Sequence, residues 1–320
     1  MIYLIYLHNQ IHIVMKNILI LCLSLLVCCC KSPEDKAINF IVASDMGRRE
    51  KSEQQNIADL MGQRAEKHLI DFVAVAGDPI HDDGVASITD SEWQLKFENV
   101  YTAQSLQAIP FYVVPGNHCY RGSVQAIIDY SNISDRWNAP ARYFSIEKPL
   151  GKKQKALFVF IDTTPLIDKN RTDEDFTDIG QQSVERQLFW LDSTLVSSKG
   201  RWKFVIGHHP VYAGTDKPES ERKDMRKRVG KILEKRKADF YISGHIHNFQ
   251  HIQPAGKTVN YIVNSSAAAG RSVQATEGTV FCSDNPGFTV FTVSRDSVWF
   301  SFVNHTGETI YRSATGKNNR

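Results

Sequence analysis

Short, uninterrupted apolar runs alternate along this chain with longer stretches in which apolar residues recur every three or four positions. The runs at 38–44 (INFIVAS), 72–76 (FVAVA) and 111–114 (FYVV) are short, rich in β-branched and aromatic residues and free of charge, the pattern of buried strands. Residues 52–68 and 91–106, between them, repeat apolar positions at helical spacing, and each predicts one helix. The order strand, helix, strand, helix, strand implies βαβ units and a mostly parallel sheet. The second half continues with strands at 156–161, 203–206 and 240–243, a helix over 184–196 and a basic helix over 222–237. Nearer the carboxyl end, 261–264 and the long alternation 288–303 predict antiparallel strands, with a turn at Arg295-Asp296. No internal repeat, low-complexity tract or linker interrupts the chain after residue 37, so one α/β domain over 38–320 is expected.

The amino-terminal residues follow a different rule. From Met15, a single positive charge at Lys16 precedes an apolar run over 18–27, too short to span a membrane as a mature helix and suited to a signal-peptide core. The run ends in Leu26-Val27-Cys28-Cys29-Cys30, which resembles a bacterial lipobox, where cleavage precedes a cysteine that receives lipid. The expectation is a lipoprotein signal over 1–30, with Cys29 the first choice for lipidation, and a polar linker over 31–37. The mature protein would then be a monomer tethered to a membrane in the cell envelope, in the periplasm or on the outer surface.

Composition narrows the reading. Four of the six cysteines fall in the signal segment, so Cys119 and Cys282 allow one bridge at most and no disulfide framework. Lys plus Arg number 38 against 35 for Asp plus Glu, a formal +3 that gives no electrostatic case for nucleic acid as a partner.

The chemistry lies where the strands stop. Asp45-Met46-Gly47 follows the first run, Gly77-Asp78-Pro79-Ile80-His81 the second and Pro115-Gly116-Asn117-His118 the third. Gly207-His208-His209-Pro210 and Gly244-His245-Ile246-His247 follow the strands at 203–206 and 240–243. Ligands of open α/β sheets bind outside the carboxyl ends of the strands, so these clusters should converge on one crevice. Carboxylate, amide and imidazole groups are ligands of borderline hardness, suited to Zn, Fe or Mn rather than to thiolate chemistry. A set this large exceeds the needs of one ion with an open position, and two ions bridged by a carboxylate accommodate it.

In these motifs the sequence resembles the metallophosphoesterases, the calcineurin-like superfamily, and within them the purple or tartrate-resistant acid phosphatases. Their pattern is D-x-G, G-D-x-x-Y, G-N-H-[DE], G-H-x-P and G-H-x-H. Residues 134–140 (SDRWNAP) and Asn248-Phe249-Gln250 resemble further stretches of that subgroup. The resemblance implies two mixed β-sheets packed as a sandwich flanked by helices, with a dinuclear site at one edge. It implies that Asp78 bridges two metal ions (Fe, Zn or Mn), that Asp45 and His247 complete one ion, and that Asn117, His208 and His245 hold the other. His118 would face the leaving group as the catalytic acid, and Asn117, His118 and Lys217 would contact substrate.

Three positions depart from the pattern. His81 stands where the subgroup has the tyrosine whose ferric complex gives the colour, so the chromophore should be missing; His81 either ligates the same ion or leaves a place to water. Cys119 replaces the acid after G-N-H and reads as a small packing residue. Lys217 replaces a substrate-facing histidine, where it would act as a point charge toward phosphate. Two cations about 3.5–4 Å apart can share a hydroxide and clamp both ends of an in-line displacement at phosphorus. Phosphomonoester hydrolysis, acid-phosphatase-like, is therefore the expected activity. A phosphodiesterase or nucleotidase, and a non-catalytic phosphate- or metal-binding lipoprotein, are the alternatives. The charged segment 163–182 is either a cover for the site, as in the resembling phosphatases, or a plain surface loop.

Overall fold

Wherever a β-branched or aromatic run predicted a buried strand, a strand forms. The computed structural model describes residues 37–48, 53–176 and 178–317. The proposed signal segment, its Cys28, Cys29 and Cys30, and the linker up to residue 36 lie outside them. In chain order the strands are β1 (Ile38–Ala43), β2 (Phe72–Val75), β3 (Phe111–Val113), β4 (Trp137–Asn138), β5 (Phe144–Leu150), β6 (Gln154–Phe160) and β7 (Trp202–Ile206). They continue with β8 (Phe240–Ser243), β9 (Phe249–Ile252), β10 (Asn260–Val263), β11 (Thr279–Ser283), β12 (Gly287–Val293), β13 (Ser297–Asn304) and β14 (Thr309–Gly316).

These strands make two mixed seven-stranded sheets. One has the order β14-β13-β12-β1-β2-β3-β4, the other β11-β9-β10-β8-β7-β6-β5. The parallel core of the first is β1-β2-β3, in register Phe40 to Phe72 and Val73 to Phe111; that of the second is β6-β7-β8-β10. The strand at 261–264 therefore belongs to the second sheet, parallel to β8, whereas the 288–303 alternation forms the antiparallel pair β12 and β13 of the first.

Strand alternation explains the layers. In β1, Phe40 and Val42 face the second sheet while Ile41 and Ala43 face the helices. Aromatic rings fill the inter-sheet space: Phe40 stacks on Phe72 at 4.9 Å and on Phe291 at 4.7 Å, and meets Phe158 edge-on at 5.3 Å. The outer faces pack against α1 (Gln54–Lys67), the short α2 (Gln104–Gln107) and α3 (Val124–Asp129) on one side. On the other they pack against α4 (Val184–Ser197), α5 (Glu219–Met225) and α6 (Lys231–Lys235).

Two expected helices are corrected. Residues 91–106 are not one helix: a π turn at Gln94–Glu98 is followed by a break before α2. The wide turn buries adjacent Lys96 and Phe97 together, and Lys96 Nζ donates to the Arg48 carbonyl at 2.6 Å. The basic segment is helical from Glu219 to Lys235, with a π turn at Arg226–Gly230 between α5 and α6. Met225, Val229 and Leu233 stay on its buried face, so the apolar period survives the change in pitch.

Candidate active site

The carboxyl ends of β1, β2 and β3 meet those of β7 and β8 at one edge of the sandwich. The Asp45 N–H donates to the Gly77 carbonyl at 3.1 Å and the Met46 N–H to Asp78 at 2.9 Å, which ties the first two loops together. The Gly244 N–H donates to the His208 carbonyl at 3.0 Å and ties the last two. Gly116 is required by packing, because a Cβ there would overlap the Asp78 carboxylate. Gly77, at φ +84°, meets the His208 ring in the same way.

The backbone is strained where the ligand candidates sit. Asp45, Asp78, His245 and His247 have φ of 50°, 46°, 73° and 57°. Left-handed conformations cost a non-glycine residue about 1–3 kcal/mol each and persist only where the surroundings impose them. The reward is convergence of side chains that a regular strand would splay to opposite faces.

Each sequence-predicted ligand reaches this edge. Asp45 Oδ1 lies 3.1 Å from His247 Nε2 and 4.0 Å from His81 Nε2. His208 Nε2 lies 2.9 Å from Asp78 Oδ2, 3.1 Å from Asn117 Oδ1 and 3.2 Å from His245 Nδ1. Ligands about 2.1 Å from a common ion and at right angles to one another lie roughly 3 Å apart, so these sets have the spacing of coordination shells. Asp45 Oδ1 and His81 Nε2 are buried and have no hydrogen-bond partner among the described residues. A buried carboxylate oxygen facing a bare imidazole nitrogen is costly unless a cation joins them. The residues fit metal ions.

Carbonyl groups fix the imidazoles from behind. His81 Nδ1 is 2.9 Å from the Met46 oxygen, His208 Nδ1 3.0 Å from that of Ala76 and His118 Nδ1 2.6 Å from that of Asp82. A carbonyl only accepts, so each Nδ1 carries the proton and each Nε2 turns into the site. His81 thus presents a lone pair toward the ion that Asp45 and His247 would share, which favours its role as a ligand over a place left to water.

Charge follows burial. Burial drives His81 down to about 4, against the pull of Asp78 and Asp45, so it is neutral at mild pH. Burial would also lower His208, but the Asp78 carboxylate outweighs it and pushes the imidazole up to about 9. Burial alone would raise both carboxyls; His247 beside Asp45 and His208 beside Asp78 instead hold them below the usual range. Metal binding at Asp78 would release the proton that His208 keeps.

The remaining expectations place as follows. Asn117 and His118 are half-buried at the mouth, whereas the other ligand candidates are buried. His118 is anchored by its own N–H, which donates to Asp78 Oδ1 at 2.9 Å. Lys217 Nζ reaches within 3.1 Å of His245 Nε2, and burial lowers its pKa. Cys119 is fully buried and accepts weakly from the Gly116 N–H at 3.5 Å, in line with a packing role; it and Cys282 are both free thiols. His209 packs on Thr163, whose Oγ1 accepts from the backbone of His208 and His209 at 3.2 and 2.9 Å.

Several contributors were invisible to motif reading. Glu221 on α5 lies 3.0 Å from His245 Nε2. Asp162, at the end of β6, is fully buried and accepts from the Tyr120 hydroxyl; burial pushes its carboxyl up to about 7. Arg142 links Tyr120 at 3.0 Å to Asp178 at 2.5 Å. Segment 163–182 is therefore fastened rather than loose, and its own Leu166, Ile167, Phe176 and Ile179 are buried. The position of Asp162, directly after a buried strand, was the one available sequence signal.

The calcineurin-like phosphoesterase model matches residues 38–249, a span containing every one of these ligand candidates. The chain belongs to this family. Purple acid phosphatase 4 of Arabidopsis thaliana is 32% identical to this phosphoesterase over 296 residues, covering 88% of this chain and 85% of its own. Tartrate-resistant acid phosphatase type 5 of Homo sapiens is 30% identical over 206 residues, 61% of each chain. Purple acid phosphatase PPD1 from yellow lupin shares the fold at a TM-score of 0.64 and 16% identity, over 89% of this chain and 54% of that one. GAP50, the anchor in the inner membrane complex of Plasmodium, shares it at 0.76 and 22% identity, over 89% and 90%. This phosphoesterase is a metal-dependent hydrolase of phosphoric esters.

Proposed function

We propose that the protein is a phosphomonoesterase of the acid-phosphatase type, with a dinuclear centre held by Asp45, His81 and His247 on one side and Asn117, His208 and His245 on the other. Asp78 would be common to both. The observation that carries this is the pair of buried atoms, Asp45 Oδ1 and His81 Nε2, that have no hydrogen-bond partner among the described residues, beside a second cluster in which Asp45, Asp78 and His208 bring ligand atoms within 4.8 Å of one another. When bound, Zn, Fe or Mn ions there would make a water nucleophilic at mild pH and would neutralise charge on the phosphoryl oxygens.

The chain's own residues do the rest. Asn117 and His118 read the substrate, being the accessible members of the cluster. His118 holds its Nδ1 proton on the Asp82 carbonyl, so as an imidazolium it delivers the Nε2 proton to the departing ester oxygen. The Lys217 ammonium stands beside His245 as a fixed positive charge for a doubly charged phosphate. A monoester, with more negative charge than a diester, matches such a mouth, and the named relatives are acid phosphatases.

His118→Ala should lower p-nitrophenyl phosphate turnover about 10²–10⁴-fold with metal content unchanged. Loss of the metals in that variant would show that His118 is a structural residue instead. Faster turnover of bis-p-nitrophenyl phosphate than of the monoester by the unmodified enzyme would move the reading to a phosphodiesterase.

We further propose export as a lipoprotein tethered through the cysteines at 28–30. Among the described residues no helix is long and apolar enough to cross a membrane. Labelling with a radioactive fatty acid should require those cysteines, and retention of label after all three are replaced would contradict the tether.

A further inference from the structure

Besides Lys217 Nζ, 3.1 Å from Nε2 and 3.4 Å from Nδ1, the ring of His245 has two polar neighbours of opposite kind. Its Nδ1 lies 3.2 Å from His208 Nε2, inside the ligand set. Its Nε2 lies 3.0 Å from Glu221 Oε2, on the outside. Glu221 is 4% exposed, although it occupies a helix start where an acidic residue normally faces water. Its second oxygen, Oε1, is taken by Lys169 Nζ at 2.5 Å. Lys169 stands in the loop that follows β6, and the same loop is tied to the helix again where the Asp168 N–H donates to Asp224 at 2.9 Å.

Nδ1 faces the ligand set, so it carries the lone pair if it binds the ion, and the ring proton then sits on Nε2. There the Glu221 carboxylate accepts it, whereas the Lys217 ammonium, 3.1 Å from the same atom, only donates and cannot bond it in that tautomer. His208 obtains the same service from the Ala76 carbonyl. His245 is buried at φ +73°, and among the described residues no backbone carbonyl is bonded to its ring nitrogens. The carboxylate of Glu221 is its orienting partner.

From this geometry we propose that Glu221 is a positioning residue for the metal centre. It locks the tautomer and direction of His245, and Lys169 holds it in place, so the loop over 163–182 and the ion held by Asn117, His208 and His245 are mechanically linked. This rests on the dinuclear reading above. Partners behind a metal-bound imidazole commonly contribute 10–100-fold to metal affinity, about what a fixed carboxylate should provide here.

The test is competition between the full-length protein and a chromophoric chelator for Zn, with bound metal counted by elemental analysis. Glu221→Ala should weaken one of two bound ions about 10–100-fold and leave the other unchanged. Glu221→Gln, which still offers an acceptor oxygen, should recover part of that loss, and Lys169→Met should show a smaller loss of the same ion. Asp224→Asn, which touches the loop but not His245, should leave both ions as they were. Circular dichroism and the thermal midpoint of the metal-free proteins separate this from misfolding, and Glu221→Gln serves if Glu221→Ala does not fold. Unchanged affinity for both ions in well-folded Glu221→Ala and Glu221→Gln would overturn the proposal. If the unmodified protein binds no Zn in competition, the dinuclear reading itself fails, a result distinguishable from the first.

Discussion

The two halves of the metal edge are built by different means. On the side of Asp45, His81 and His247, the buried atoms Asp45 Oδ1, His81 Nε2 and His247 Nδ1 have no hydrogen-bond partner among the described residues. On the side of Asn117, His208 and His245 the donor atoms lie within 3.2 Å of one another, no closer than Asp45 Oδ1 and His247 Nε2 at 3.1 Å, but a carbonyl and a carboxylate brace the rings from outside. In the first half the Met46 carbonyl stands behind His81, while His247 Nδ1 has no hydrogen-bond partner among the described residues. In the second, the Ala76 carbonyl stands behind His208 and the Glu221 carboxylate beside His245. The lesson is that equal ligand count does not mean equal support from outside the ligand set.

The largest effect should come from the residue common to both halves. Asp78→Asn removes the charge that His208 and the backbone of His118 converge on. Since losing an outer partner alone costs about 10–100-fold, losing this carboxylate should reduce turnover by more than about 100-fold and release both ions. His81→Ala, by contrast, should release one ion and spare the other, as elemental analysis after gel filtration would show. Equal loss of both ions in His81→Ala would erase the distinction between the halves.

A smaller effect lies outside the ligands, at Asp162. Its carboxyl is raised from 3.8 to about 7 by burial, so the folded state binds this proton more tightly than the unfolded chain does. The stability it contributes is complete below the ordinary aspartate value and is lost as pH rises through about 7. In chelator-treated protein, the melting temperature of the parent relative to Asp162→Asn should therefore fall as pH rises across that window. A pH-independent difference would mean that this carboxyl does not titrate there.

What could be read in advance follows the physics. Strands β1, β2, β3, β7 and β8 were legible to within about two residues because each is a short apolar run ended by glycine or a polar cluster. Strands β5 and β14 were not: FSIEKPL and TIYRSATG lie at sheet edges, where only Phe144 and Leu150 of β5 and no residue of β14 are buried, so no unbroken apolar run marks them. Segment 91–106 misled because Trp93, Phe97 and Tyr101 keep helical spacing while a π turn changes the pitch beneath them. In the site, ligands at strand ends could be listed because their residue types and neighbouring glycines are local. Glu221 could not, since its role comes from a helix packing against a turn reached by distant sequence, and its identity alone reads as a surface acid. The same holds for Thr163, which is an ordinary loop residue until His208 and His209 fold against it.

The most direct test of the account is to count metals and follow activity together. Protein stripped with chelator and titrated with Zn, Fe or Mn should bind two ions per chain, and phosphomonoester turnover should appear only as the second site fills. Full turnover by the stripped protein, or crystallographic density for ions away from Asp45, Asp78 and His208, would contradict it.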